Sequence, residues 1–110
     1  MGVIVIEGQV NPEQMAELLE EMGEFVKLAV DVRRGVVSGG GAMHADCEAA
    51  LLEHGSAQED IWGADWYPDQ KEVGFTSFIN IRPRQGNRSM EIQDAGLKEC
   101  IERIVRGVFQ

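Results

Sequence analysis

The sequence predicts an α+β domain with a mainly antiparallel sheet and with its helices on one face. Two observations support this prediction. A capped segment with apolar residues at helical spacing lies near each end of the 110-residue chain, at 11–22 and at 94–108. Between them, short β-favouring segments follow one another with connections too brief for parallel crossovers. The predicted order is β-α-β-β-β-β-β-α, in a single domain that spans residues 1–110.

The first elements are a short apolar strand and a capped helix. Residues 3–6 are continuously apolar, as expected for a central strand. Asn11 is a suitable N-cap, Pro12 fits the first helical position, and Gln14 lies where a capping-box partner belongs. The apolar stripe of this helix consists of Met15, Leu18, Leu19 and Met22.

The later elements are predicted strands and a closing helix. Apolar residues alternate with polar ones across 25–32, and Arg33-Arg34-Gly35 predicts a turn into a short strand at 36–38. Further strands are predicted at 62–67 and 72–81, which are rich in aromatic and β-branched residues. Asp94 is the expected cap of the closing helix. We expect Trp62 and Trp66 to pack in the core.

Residues 42–54 fit either a helix or a strand. The run 48–53 has high helical propensity, whereas apolar and polar residues alternate strictly from 43 to 48. The alternation favours a strand, which we predict for 43–48. Its inward side chains would be Met43, Ala45 and Cys47, and its outward ones His44, Asp46 and Glu48.

The net charge of −9 is unevenly distributed and limits the classes of partner. Residues 1–60 carry twelve acidic and three basic side chains, whereas residues 61–110 carry seven of each. An acidic protein repels phosphate backbones, so we expect no nucleic-acid binding. A local cluster of arginines in the neutral half can still bind a compact anion.

The cysteines and the N-terminal residues predict a cytoplasmic protein with no membrane association. Cys47 and Cys100 have no metal-site spacing, so we expect free thiols, and Cys47 to be a buried, inert one. The N-terminal apolar run is only four residues long and lacks a basic flank. It resembles neither a secretory leader nor a membrane span.

Three motifs together resemble a known family. They are His-Ala-Asp-Cys-Glu at 44–48, Trp-Gly-Ala-Asp-Trp-Tyr-Pro at 62–68 and Ile-Asn-Ile-Arg-Pro-Arg-Gln-Gly-Asn-Arg-Ser at 79–89. The chain is similar over nearly its whole length to a family of short prokaryotic proteins defined as a domain of unknown function. The resemblance implies no activity, substrate or partner.

The first candidate site consists of His44, Asp46 and Glu48, as candidate catalytic residues. On a strand, these three side chains project from one face about 7 Å apart. An imidazole with two carboxylates can hold a divalent ion or form an acid–base set. The alternative is a solvated polar face, and on a helix only His44 and Glu48 would be neighbours.

The second candidate site is an arginine-rich turn with Arg82, Arg84, Asn87 and Arg88 as ligand-binding residues. Guanidinium groups match carboxylate and phosphate geometry, and a glycine-containing turn can present backbone N–H groups to the same anion. The alternative is that these arginines neutralise carboxylates of the acidic half or of a second subunit. The nearest internal anions would then be Asp46, Glu48 and Glu53.

Two classes of function follow from these sites. The first is a binding module that recognises a small anionic ligand or an acidic protein surface through the arginine turn. The alternative is a small hydrolase or lyase that uses the His44 cluster, with or without a metal ion. A structural homodimer is a third possibility, and no cofactor is indicated. The discriminating feature is whether the His44 face and the arginine turn meet in one pocket.

Overall fold

A computed structural model describes residues 2–110 as a five-stranded sheet with three α-helices. The strands are β1 (Ile4–Ile6), β2 (Val26–Asp31), β3 (Val36–Gly39), β4 (Ile61–Tyr67) and β5 (Glu72–Gly74), and the helices are α1 (Pro12–Leu19), α2 (His44–Glu53) and α3 (Ala95–Phe109). Short 3₁₀ helices lie at Gln58–Asp60, Phe78–Asn80 and Pro83–Gln85. The sheet order is β1-β3-β2-β4-β5, and every neighbouring pair is antiparallel. The predicted α+β class and antiparallel sheet are confirmed.

The caps predicted for the terminal helices are present. The Asn11 side chain accepts a hydrogen bond from the Gln14 N–H at 2.8 Å, and the Asn11 N–H donates to the Gln14 side chain at 3.0 Å. At α3, Asp94 accepts from the Leu97 N–H at 2.7 Å. No helix in the described part of the chain is both long and apolar enough to cross a bilayer.

The core occupies both faces of the sheet. On one face, Val26, Leu28 and Val30 of β2 pack with residues of α1 and α3. On the other face, α2 contributes Cys47 and Leu51, which pack with Ala29, Val36 and Ile61. The two helices predicted from the sequence, α1 and α3, share one face as expected, and α2, which was not predicted, covers the other face. Small buried side chains on that face, Ala29 and Ser38, allow α2 to pack closely against the sheet.

The strand predicted at 43–48 is wrong, because this segment belongs to α2. Cys47 and Leu51 are four residues apart and fully buried, which is the spacing of a helix that packs by one stripe. Met43, predicted to face inward, is 57% exposed. The segment is helical because residues 48–53 have high helical propensity and because a helix buries both Cys47 and Leu51. These two effects outweigh the alternation of apolar and polar residues at 43–48.

The strand predicted at 72–81 is also shorter than expected, since β5 ends at Gly74. Residues 75–93 instead form a loop whose side chains hydrogen-bond the outer edge of β4. The Asn80 side chain accepts from the Gly63 N–H at 2.8 Å and donates to the Gly63 carbonyl at 3.1 Å. Arg82 donates to the Ile61 carbonyl. The side chains of Asn80 and Arg82 thus form hydrogen bonds with backbone groups of β4 that have no partner in β5.

Gly63→Ala is expected to destabilise the protein, because the loop packs directly on this residue. A Cβ at position 63 would lie 2.7 Å from the Ser77 Cβ, a contact that forces the loop away from β4. We expect a loss of about 1–3 kcal/mol in the free energy of unfolding. Gly107→Ala in α3 is the control, because nothing lies within 4 Å of its added Cβ. The control should be stabilising by about 0.5–1 kcal/mol, and urea denaturation measures both.

Candidate functional site

The Arg82 guanidinium is bonded to groups of the protein itself. Its guanidinium donates to the Ile79 carbonyl at 3.0 Å, to the Gln58 carbonyl at 2.7 Å and to the Ile61 carbonyl. It also pairs with Glu48 at 3.3 Å, and only 10% of its side chain is exposed. Burial lowers the pKa of Arg82, and the Glu48 carboxylate acts in the opposite direction. Of the internal anions expected beside the turn, Glu48 is the one that Arg82 contacts.

Asn87 holds the loop together from inside. Its side chain is buried and donates to the carbonyls of Asn80 at 2.8 Å, Ser89 at 2.9 Å and Glu91 at 3.1 Å. Its side-chain oxygen accepts from the Gln93 N–H at 2.8 Å. The amide is thus engaged by the backbone of its own loop, and a ligand would have to displace these bonds.

Arg84 and Arg88 differ from Arg82 in being exposed. Neither side chain has a hydrogen bond or ion pair to any residue in the described range 2–110. Arg84 borders a cleft of about 500 Å³, which we call the arginine cleft. Its wall includes Glu48, Gln58, Phe78, Ile81, Pro83 and Arg84.

His44 has a partner that was not predicted, the carboxylate of Asp65 in β4. The two side chains meet at 2.8 Å through the imidazole Nε2, which also contacts the Ala64 carbonyl at 3.1 Å. Both side chains are nearly buried, with exposures of 12% and 11%. Asp46 is exposed and Glu48 pairs with Arg82, so the predicted three-residue cluster does not form. Asp65 had a sequence signal, since it is an ionisable residue inside an otherwise apolar strand.

A second hollow of about 240 Å³ lies against His44, and we call it the histidine cavity. Its wall includes Lys27, Met43, His44, Ser77, Phe78 and Ile79. Phe78 and Ile79 also line the arginine cleft. The two candidate sites are thus adjacent but do not form one pocket. Over residues 2–110, no group of three or more His, Cys, Asp or Glu side chains is arranged to hold a metal ion.

The structure is thus an α+β protein in which the arginine cleft and the histidine cavity share a wall formed by Phe78 and Ile79 of the loop 75–93. The chain belongs to a family described as a protein of unknown function (DUF5674), whose model matches residues 4–108. Comparison with curated proteins and with solved structures found no match.

The two cysteines are expected to differ in reactivity. Both are free thiols, as predicted; Cys47 is buried and Cys100 is partly exposed. Burial raises the pKa of Cys47 to about 11, which keeps it protonated and unreactive near neutral pH. Ellman's reagent at pH 8 should therefore react with one thiol in the native protein and with both in denaturant. Rapid reaction of two native thiols would contradict the burial of Cys47.

Arg82→Ala and Arg84→Ala should separate the structural arginine from the exposed one. Arg82→Ala leaves Glu48 and the carbonyl groups of Ile61 and Ile79 without this donor in a partly buried position, and unpaired buried groups cost about 1–3 kcal/mol each. Arg84→Ala removes no bond in the described chain and should change the free energy of unfolding by about 0.5 kcal/mol or less. Equal losses in urea denaturation would contradict these assignments.

Proposed function

We propose that this protein is a binding module that recognises the anionic group of a small molecule through Arg84. The observation that carries this proposal is an exposed guanidinium that has no partner among residues 2–110, at the edge of a cleft of about 500 Å³. That volume lies within the range of small-molecule sites, about 300–1,000 Å³. A guanidinium can bind a carboxylate or phosphate oxygen pair with two parallel hydrogen bonds.

The turn that carries Arg84 has a defined conformation. Its ends pair through the backbone, with the Arg82 N–H donating to the Asn87 carbonyl at 2.6 Å and the Asn87 N–H donating to the Arg82 carbonyl at 3.0 Å. Gly86 has a φ of 81°, a left-handed conformation that favours glycine. Because the turn is already ordered, binding requires less loss of backbone entropy.

The apolar residues beside Arg84 suggest the rest of the ligand. Phe78 is 76% exposed and Ile81 is 44% exposed, and both line the arginine cleft. Large apolar side chains left in solvent beside a charged group favour a ligand with an apolar body and an anionic end. Glu48 also lies in this wall, but its pairing with Arg82 reduces its repulsion of an anion.

The charge and thiols of the chain suggest the ligand size and the compartment. A net charge of −9 opposes the approach of a polyanion, so a compact ligand is favoured over nucleic acid.

The free thiols of Cys47 and Cys100 support a reducing compartment, and we propose the cytoplasm.

Thermal unfolding with added anions tests the proposal. The probes are phosphate, sulfate, succinate and phenylacetate, each titrated into wild type and Arg84→Ala. At ten times the dissociation constant, binding stabilises the native state by about 1.4 kcal/mol, which raises Tm by several degrees. We expect this rise with phenylacetate or succinate in wild type and its loss in Arg84→Ala. Arg88→Ala measures whether the second exposed arginine contributes.

Arg103→Ala is the matched control, because Arg103 is an exposed arginine of α3 that pairs with Glu99 outside the cleft. It should keep the wild-type response. An equal response in wild type and Arg84→Ala, or no response to any probe, would overturn the proposal. If the turn instead binds carboxylates of a second copy, sedimentation will show a dimer that Arg84→Ala and added salt both weaken.

A further inference from the structure

The pairing of His44 with Asp65 fixes which imidazole nitrogen carries a proton. Nε2 contacts a carboxylate oxygen at 2.8 Å and a carbonyl oxygen at 3.1 Å, and both of these groups only accept hydrogen bonds. Nε2 must therefore be the protonated nitrogen in the neutral ring. The lone pair then lies on Nδ1, which has no hydrogen-bond partner among residues 2–110.

The environment of this pair provides a defined acid–base geometry. Asp65 lies in β4 directly opposite Lys27 of β2, so both side chains project towards the face that α2 covers. His44 is the first residue of α2 and lies over this face. A carboxylate that holds one imidazole nitrogen fixes the tautomer and stabilises the imidazolium formed when the other nitrogen accepts a proton.

The histidine cavity next to the imidazole has a composition suited to a small, mostly apolar molecule. Met43, Phe78 and Ile79 contribute apolar wall, whereas Lys27 and Ser77 are polar. The Lys27 ammonium donates to the Ala42 carbonyl at 3.0 Å, which leaves two of its three N–H groups for another acceptor. A positive charge in this position can stabilise an oxygen on which negative charge develops.

We propose that the histidine cavity is a hydrolytic site for small acyl compounds, with His44 as the general base. Water attacks the carbonyl carbon and gives its proton to Nδ1, while the carbonyl oxygen becomes negative and is stabilised by Lys27. The tetrahedral intermediate then expels the alkoxide, which takes the proton from the imidazolium. One ester and one water become one acid and one alcohol, and His44 returns to its neutral state. Asp65 is a positioning residue that acts through the imidazole.

This inference is independent of anion binding at Arg84, because it rests on Lys27, His44 and Asp65, none of which that proposal uses. Its test therefore uses different variants and a neutral probe, p-nitrophenyl acetate. We expect wild type to hydrolyse the ester above the buffer rate. His44→Gln should lower the protein-dependent rate at least tenfold, since general acid–base catalysis typically contributes about 10²–10⁴-fold.

His54→Gln is the matched control, because His54 is the other histidine of the sequence and lies at the far end of α2 beside Glu7. It should hydrolyse the ester at the wild-type rate. Asp65→Asn should also lower the rate and, in ¹⁵N-detected NMR, should shift the His44 ring away from the Nε2-protonated tautomer. Free imidazole should raise hydrolysis by His44→Ala above the rate that imidazole gives without protein, and it should give no such excess with wild type; a merely structural role would not produce this difference.

Several outcomes would overturn the inference. Wild-type hydrolysis no faster than buffer would remove the activity, and equal rates in wild type and His44→Gln would remove His44 from it. A loss in His54→Gln as large as that in His44→Gln would indicate non-specific imidazole reactivity. If His44→Gln fails to fold, the tautomer measured in wild type remains decisive, because a proton on Nδ1 contradicts the proposed base.

Discussion

The outer edge of β4 is the constraint on which the rest of this structure depends. The strand β5 pairs with Asp65–Tyr67, so Ile61 and Gly63 lie beyond its reach and would otherwise present unpaired backbone groups beside the core. A buried peptide group without a partner costs about 1–3 kcal/mol. The side chain of Asn80 satisfies both polar groups of Gly63, and Arg82 satisfies the carbonyl of Ile61. Because these backbone groups of β4 need hydrogen-bond partners, Asn80 and Arg82 hold the loop 75–93 against the sheet.

Both candidate sites follow from the fixed position of that loop. Phe78 and Ile79 lie in the segment between Ser77, which packs on Gly63, and Asn80, which bonds to it. These two apolar residues form the common wall of the arginine cleft and the histidine cavity. A displacement of the loop would therefore alter both hollows together, although different charged residues carry their proposed functions.

Much of the fold was accessible from local sequence, whereas the sites depended on contacts between distant residues. The caps at Asn11 and Asp94 are decided within four residues, and both were predicted. The segment 43–48 was predicted as a strand because its apolar and polar residues alternate over six positions. It belongs to a helix because Cys47 and Leu51 are buried against other elements of the fold, a contact that the local pattern does not report. The pairing of His44 with Asp65 joins residues 21 positions apart, and no periodicity reports such a contact.

The chemistry available at His44 is set by packing on the sheet as much as by its polar neighbours. α2 approaches the sheet where small residues lie, and the Ser38 hydroxyl donates to the Cys47 carbonyl at 2.6 Å across this contact. Cys47 and Leu51 fix the rotation of the helix, because both are fully buried. This rotation directs His44, one turn before Cys47, towards Asp65 and places Glu48 towards Arg82. Because Cys47 and Leu51 are buried, His44 lies in the wall of the histidine cavity and Glu48 in the wall of the arginine cleft.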